Sequence, residues 1–306
     1  MTRDRPFRTL LAIGLLASLA VTSCANGAKG TAGSGRPSVV AAENVWGSIA
    51  SQLGGDRVTV TSIIDNPNAD PHDYEPTADD ARSFASASFV IENGVGYDPW
   101  AQRLLDANPV PSRGVLDVGT LVGEPTGGNP HRWYSPSDVQ LVIDAITTGY
   151  MKMDPQDASY FTQQRISFET KGLAQYHAII AGIKSTYAGT PVGASESIFA
   201  LMAPALGLNL ITPPAFLTAI SEGSEPTAAD KATIDHQIAS HEIKVYVYNS
   251  QNATPDVQRQ IDEARAAGIP ISTITETLVP AGATFQAWQV AQLQALEAAL
   301  HQATGR

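Results

Sequence analysis

The feature that most limits the fold is one long stretch without strong breakers, in a chain that is otherwise punctuated every few residues. Between Asp154-Pro155 and about Tyr187 only Gly172 and Gly182 interrupt it. Apolar side chains recur at Tyr160, Phe161, Ile166, Phe168, Leu173, Tyr176, Ile179, Ile180, Ile183 and Tyr187, the repeat of a helix with a buried face. Asp154 suits the N-cap and Pro155 the first turn. As a single helix this segment would be roughly 50 Å long at 1.5 Å per residue, too long for a crossover inside one small sheet.

The flanks read differently. Before the long segment, "SVVAAEN", "VTVTSII", "FVIENG" and "GVLDVG" read as strands. They alternate with helical "VWGSIASQLGG", "ADDARSFASA" (capped by Thr77), "PWAQRLLDA" and "SPSDVQLVIDAITTGYMKM". After it, extended "PVGAS", "LNLIT", "IKVYVYN" and "IPISTIT" alternate with helical "SIFALMAPALG", "TAADKATIDHQIAS" and "TPDVQRQIDEARAAG". An amphipathic final helix, "TFQAWQVAQLQALEAALHQ", closes the chain. Such alternation predicts mostly parallel sheets covered by helices. The expected fold is therefore α/β, with two lobes joined by one long helix: residues 38–153, the linking helix 154–188, and residues 189–306. No sequence repeat relates the lobes.

The first 24 residues read as an export signal. Arg3, Arg5 and Arg8 precede the apolar "TLLAIGLLASLAV", which has signal-peptide length and is too short to span a bilayer comfortably. The stretch ends in "VTSC", where Cys24 is the only cysteine of the chain. That ending resembles the lipobox of bacterial lipoproteins, which implies a lipid on Cys24. The Gly/Ser-rich "ANGAKGTAGSGRP", residues 25–37, then reads as a flexible tether. These features predict an extracytoplasmic protein, lipid-anchored to the cell membrane. The formal charge of −11 argues against a nucleic-acid partner, which selects a basic face.

Open α/β sheets take ligands beyond the carboxyl ends of their strands, and four candidate donors follow strands. His72 lies in "NADPHDYEPT" after "VTVTSII", and His131 lies in "GGNPHRWYSP" after "GVLDVG". Glu196 follows "PVGAS", and Glu276 lies in "ITETLVP" after the last strand. Singly, each histidine also reads as an ordinary loop residue; their joint placement predicts convergence in the cleft between the lobes. Two imidazoles and carboxylates suit a borderline divalent ion such as Zn²⁺. Asp70 and Asp73 are placed to orient His72, and Asn129 to orient His131. His177 reads as a partly buried helix residue, His236 and His241 as helix-end residues, and His301 as part of the C-terminal tail. No HExxH, GxSxG, Walker or dinucleotide-binding motif is present. A metal hydrolase would need a general base beside the ion, for which Glu75 or Asp73 is placed.

From about residue 38 to the C-terminus, "ADPHDYEPT", "GVGYDPW", "NPHRWYSP", "SESIFALMAPALGL" and "TFQAWQVAQLQAL" resemble the metal-binding lipoproteins of bacterial ATP-driven zinc and manganese importers. The resemblance implies two lobes bridged by a single rigid helix, with the metal between them. It also implies no enzymatic activity, and as partners an ABC permease and its ATPase, served by a monomer. By this resemblance the first two ligands fall on His72 and His131. The third, His in many zinc members and Glu in manganese members, falls on Glu196. The fourth, often Asp, falls on Ala283 of "AGATF". Glu276 is the substitute, ahead of Asn249, Gln251 or water. Glu196 tilts the choice toward Mn²⁺; the missing Asp and the ordinary affinity order tilt it toward Zn²⁺, which is favoured. Some relatives have been called adhesins, so a surface interaction protein is the alternative, with the hydrolase behind it.

Overall fold

In the computed structural model, which describes residues 35–67, 74–252 and 254–306, both flanks of the long segment fold into parallel four-stranded sheets. The first lobe runs β1 (Ser38–Glu43), α1 (Asn44–Gly54), β2 (Thr59–Ile64), α2 (Ala78–Ser86), β3 (Phe89–Glu92), α3 (Pro99–Ala107), β4 (Gly114–Asp117), α4 (Val118–Val122) and α5 (Pro136–Met153). The connector holds α6 (Ala158–Ser167) and α7 (Ala174–Tyr187). The second lobe runs β5 (Pro191–Ala194), β6 (Asn209–Leu210), α8 (Pro214–Ser221), α9 (Ala228–Ala239), β7 (Val245–Asn249), α10 (Pro255–Ala266), β8 (Ile271–Ile274) and α11 (Phe285–Thr304).

Strand order is β2-β1-β3-β4 in one sheet and β6-β5-β7-β8 in the other, with every pairing parallel. The two lobes thus share a topology that their sequences do not betray. Each order reverses once, between β1 and β3 and between β5 and β7. Crossovers leave these strands on opposite sides there, and a crevice opens beyond their carboxyl ends.

The apolar strand runs follow from burial on both faces. Along β1, Val39 and Ala41 face one core while Val40 and Ala42 face another, as a period of two requires. The larger core is continuous through both lobes and the connector, joining Trp46, Trp133, Phe168, Tyr176, Phe199 and Trp288. Local signals also hold. Thr77 and Asp80 form a reciprocal capping box at α2, and Ser135 caps α5.

Two segments differ from the sequence-based expectation. The connector is helical nearly throughout, but a π turn at Phe168–Gly172 separates α6 from α7, closed by Leu173 N–H donating to the Phe168 carbonyl at 2.8 Å. The reason is a change of partner: α6 packs on α1 and α5, whereas α7 packs on α11. The wider turn re-aims the apolar face between the two. "SIFALMAPALG" is not an α-helix. It makes a 3₁₀ turn at Ser197–Leu201 followed by further turns, and Pro204 cannot donate to a continuing helix.

At the reversal in the first lobe sit three acids. Glu43 ends β1, Glu92 ends β3, and Asp98 accepts the backbone N–H groups of Asn93 (2.7 Å) and Gly94 (2.8 Å). Glu43 is buried, and among the described residues neither of its oxygens meets a donor. It stands against Asp98, so a hydrogen bond between the two carboxyls requires a proton on one of them. Burial, then Asp98 and Glu92, hold the Glu43 carboxyl well above the carboxylate range. Burial and neighbouring acids push Glu92 up to about 8; burial pushes Asp98 up to about 6.

The unfolded chain releases these protons at about pH 4, while the folded chain keeps them. The cluster's contribution to stability therefore falls as pH rises from there to about 8. Glu43→Gln, which fixes a neutral side chain, should raise the melting temperature at pH 8 by about 2 °C or more and change it little at pH 5. Thermal unfolding of both proteins at the two pH values checks this, and a gain confined to pH 5 contradicts it.

Candidate metal centre

His131 is positioned by a polar clamp on its own loop. Glu124 accepts the Asn129 N–H at 3.1 Å and Arg132 Nη1 at 3.1 Å, while Arg132 Nε donates to Asp138 on α5 at 2.8 Å. The ring is fully buried, with Trp133 at 5.5 Å and Tyr97 at 6.0 Å between centroids. Asn129 Oδ1 lies 2.9 Å from His131 Nδ1 and accepts the His131 backbone N–H at 3.1 Å. The Asn129 amide nitrogen donates to the Ser197 carbonyl of the other lobe at 2.7 Å. That bond fixes which end of the amide faces the ring. With Oδ1 there, Nδ1 carries the proton, and in the neutral ring Nε2 is the nitrogen whose lone pair faces the cleft. Nε2 has no hydrogen-bond partner among the described residues.

Across the cleft, Glu196 follows β5 in extended conformation and is 1% exposed. Its Oε2 accepts from Asn252 Nδ2 at 2.9 Å, and its Oε1 is buried without a hydrogen-bond partner among the described residues. Burial, then repulsion from Glu276, push this carboxyl up to about 7; His131 and the amides of Asn252 and Asn249 act in the opposite sense. Glu276 follows β8. Its Oε1 lies 3.8 Å from His131 Nε2 and accepts from Asn249 Nδ2 at 3.0 Å, and its Oε2 accepts from the Tyr97 hydroxyl at 3.1 Å. Tyr97 follows a turn in which Gly94, Val95 and Gly96 all have positive φ, a conformation that a β-branched residue such as Val95 rarely adopts.

The structure brings His131, Glu196, Glu276 and Asn129 to the facing strand ends. His72, Asp70 and Asp73 lie outside the described residues, as does Cys24. Among the described residues no three His, Cys, Asp or Glu side chains stand close enough to hold a metal on their own. Asn249 and Gln251, considered as substitute ligands, engage their amides elsewhere. Asn249 donates to Glu276, while Gln251 Oε1 accepts the N–H groups of Glu276 (2.7 Å) and Thr277 (3.1 Å) and its Nε2 donates to the Pro67 carbonyl. Ala283 is partly buried against the main core. His177, expected to be partly buried, is exposed on α7, off the side on which the neighbouring Tyr176 packs against Phe285 of α11. Glu75 is exposed.

Sequence reasoning missed Tyr97, Asn252 and the Arg132 clamp. Tyr97 had a signal, since it follows a strand in "GVGYDPW"; the reach of Asn252 across to Glu196 had none. A cavity of about 1030 Å³ lies elsewhere, along Phe89, Arg113, Val115 and Leu141, and His131, Glu196 and Glu276 do not line it.

The profile of the family described as zinc-uptake complex component A, periplasmic (ZnuA), matches residues 39–299. Among similar proteins, the iron-binding protein YfeA of Yersinia pestis is 30% identical over 139 residues, 44% of each chain. The manganese-binding lipoprotein MntA of Halalkalibacterium halodurans is 28% identical over 127 residues, 40% of this chain and 42% of the relative. The chain thus spans less than half the length of these two relatives. A manganese-bound periplasmic metal-binding protein from Candidatus Liberibacter asiaticus superposes with a TM-score of 0.72 at 19% identity, over 87% of this chain and 100% of that one. The periplasmic zinc-binding protein TroA of Treponema pallidum gives 0.71 at 19% identity, over 87% and 99%. At such identities the superpositions establish the two-lobed α/β fold, and the profile, matching most of the chain, establishes descent: this protein belongs to the ZnuA family.

Proposed function

We propose that this protein is the extracytoplasmic capture component of an ABC importer, binding one divalent transition metal between its lobes, with Zn²⁺ preferred to Mn²⁺. The observation that carries the reading is a pair of buried donors meeting from opposite lobes. His131 Nε2 and Glu196 Oε1 both lack hydrogen-bond partners among the described residues, beside the Glu276 carboxylate. Unpaired buried polar atoms call for a partner such as water or a bound ion, and here two of them stand beside a carboxylate. A neutral imidazole and carboxylates form a donor set for a borderline divalent ion. His72, which follows β2 in sequence, supplies the second imidazole.

The relatives are named as iron-, manganese- and zinc-binding proteins, which supports metal as cargo and a carrier rather than a hydrolase. Cargo must also leave. A core shared by both lobes resists a wide hinge motion, so release to the permease, driven by its ATPase, would follow small shifts of the ligand loops. A lipid on Cys24, with residues 25–37 as tether, would keep the monomer at the membrane.

Metal-stripped mature protein, dialysed against equal Zn²⁺ and Mn²⁺, should hold one equivalent of Zn²⁺ by elemental mass spectrometry. One equivalent of Mn²⁺ would reverse the preference, and no stoichiometric metal would defeat the reading in favour of a surface interaction protein. Replacing His72 and His131 together with Ala should abolish uptake; tight stoichiometric binding by that variant would place the site elsewhere.

A further inference from the structure

Asn252 bears on which cation the cleft selects. Its side-chain nitrogen donates to Glu196 Oε2 at 2.9 Å and lies 3.3 Å from the Ile220 carbonyl, so both amide hydrogens have acceptors. Its backbone N–H donates to the Asn249 carbonyl at 3.3 Å, which fixes the residue at the end of β7. Of the Glu196 carboxylate, Oε1 alone is left without a hydrogen-bond partner among the described residues.

We propose that Asn252 is a specificity-determining residue: by holding Oε2 it restricts Glu196 to one donor oxygen, and so biases the cleft toward a four-coordinate cation such as Zn²⁺ and against Mn²⁺. Zn²⁺ is satisfied by four ligands in a tetrahedron. Mn²⁺ favours an oxygen-rich, six-coordinate shell, which a carboxylate helps to complete by chelating through both oxygens. Chelation here would set the ion in competition with the amide for Oε2 and weaken a buried hydrogen bond, a penalty of about tenfold or more in affinity. In the same lobe Glu276 accepts from Asn249 through one oxygen and from Tyr97 through the other.

The inference rests on the capture reading, and the test separates the two. Zn²⁺ and Mn²⁺ affinities are measured by chelator competition on the mature protein and on Asn252→Leu and Asn252→Ala. Leu is near in size, cannot donate and leaves no room for water. It should shift the Zn²⁺/Mn²⁺ affinity ratio toward Mn²⁺ by about tenfold or more. Ala admits a water that can donate in place of the amide, so its shift should be smaller, about threefold. A ratio within twofold of wild type in a folded Leu variant overturns the inference, and so does a folded Leu variant that has lost both metals. Should the Leu variant not fold, the Ala variant decides: a threefold shift supports the inference and an unchanged ratio overturns it. Failure of the wild-type protein to bind either metal would instead defeat the capture reading itself.

Discussion

The site depends on one side-chain amide, that of Asn129. Its oxygen faces the His131 ring and its nitrogen donates to the Ser197 carbonyl, one residue beyond Glu196. An amide has one acceptor end and one donor end, so these two bonds are mutually dependent. The inter-lobe bond sets the histidine tautomer, and the tautomer decides whether Nε2 offers a lone pair to the cleft. A carboxylate at position 129 could accept from the ring but could not donate to Ser197. The polar clamp of Glu124, Arg132 and Asp138 holds the loop in register beneath this arrangement.

The scaffold explains why a small group such as this suffices. Two sheets share one strand order, and a single apolar core runs through both lobes and the connector. Such a core resists large relative motion, because close-packed interiors deform little. Loop geometry at the strand ends is then the softer variable. Gln251 illustrates this, since it holds the Glu276 loop in the second lobe and reaches the Pro67 carbonyl in the first.

Acid groups crowd the strand ends to a degree that folding alone would disfavour. Burial raises the proton affinity of Glu43, Glu92 and Asp98 in one lobe and of Glu196 in the other, with neighbouring acids adding to it at Glu43, Glu92 and Glu196. A cation bound at the cleft would offset that burial for Glu196.

Much was legible in the sequence, for local reasons. The alternation of short apolar runs with helical segments specifies parallel α/β lobes, since strands buried on both faces must be apolar throughout. The breaker-free stretch from Asp154 specifies a long connector, and Thr77 and Ser135 mark their helix starts because caps act within one turn. His131, Glu196 and Glu276 stand out as candidates because each follows a strand. What only the tertiary structure decided are relations between distant residues. The π turn at Phe168 arises where the connector changes its packing partner. The 3₁₀ turn after Glu196 replaces a helix that the apolar pattern alone would allow. The pairing of Asn252 with Glu196 depends on β5 and β7 lying side by side in one sheet, and that of Tyr97 with Glu276 on how the two sheets are set against each other. Hydrogen-bond partners across a cleft leave no periodic trace along the chain, because nothing local constrains them.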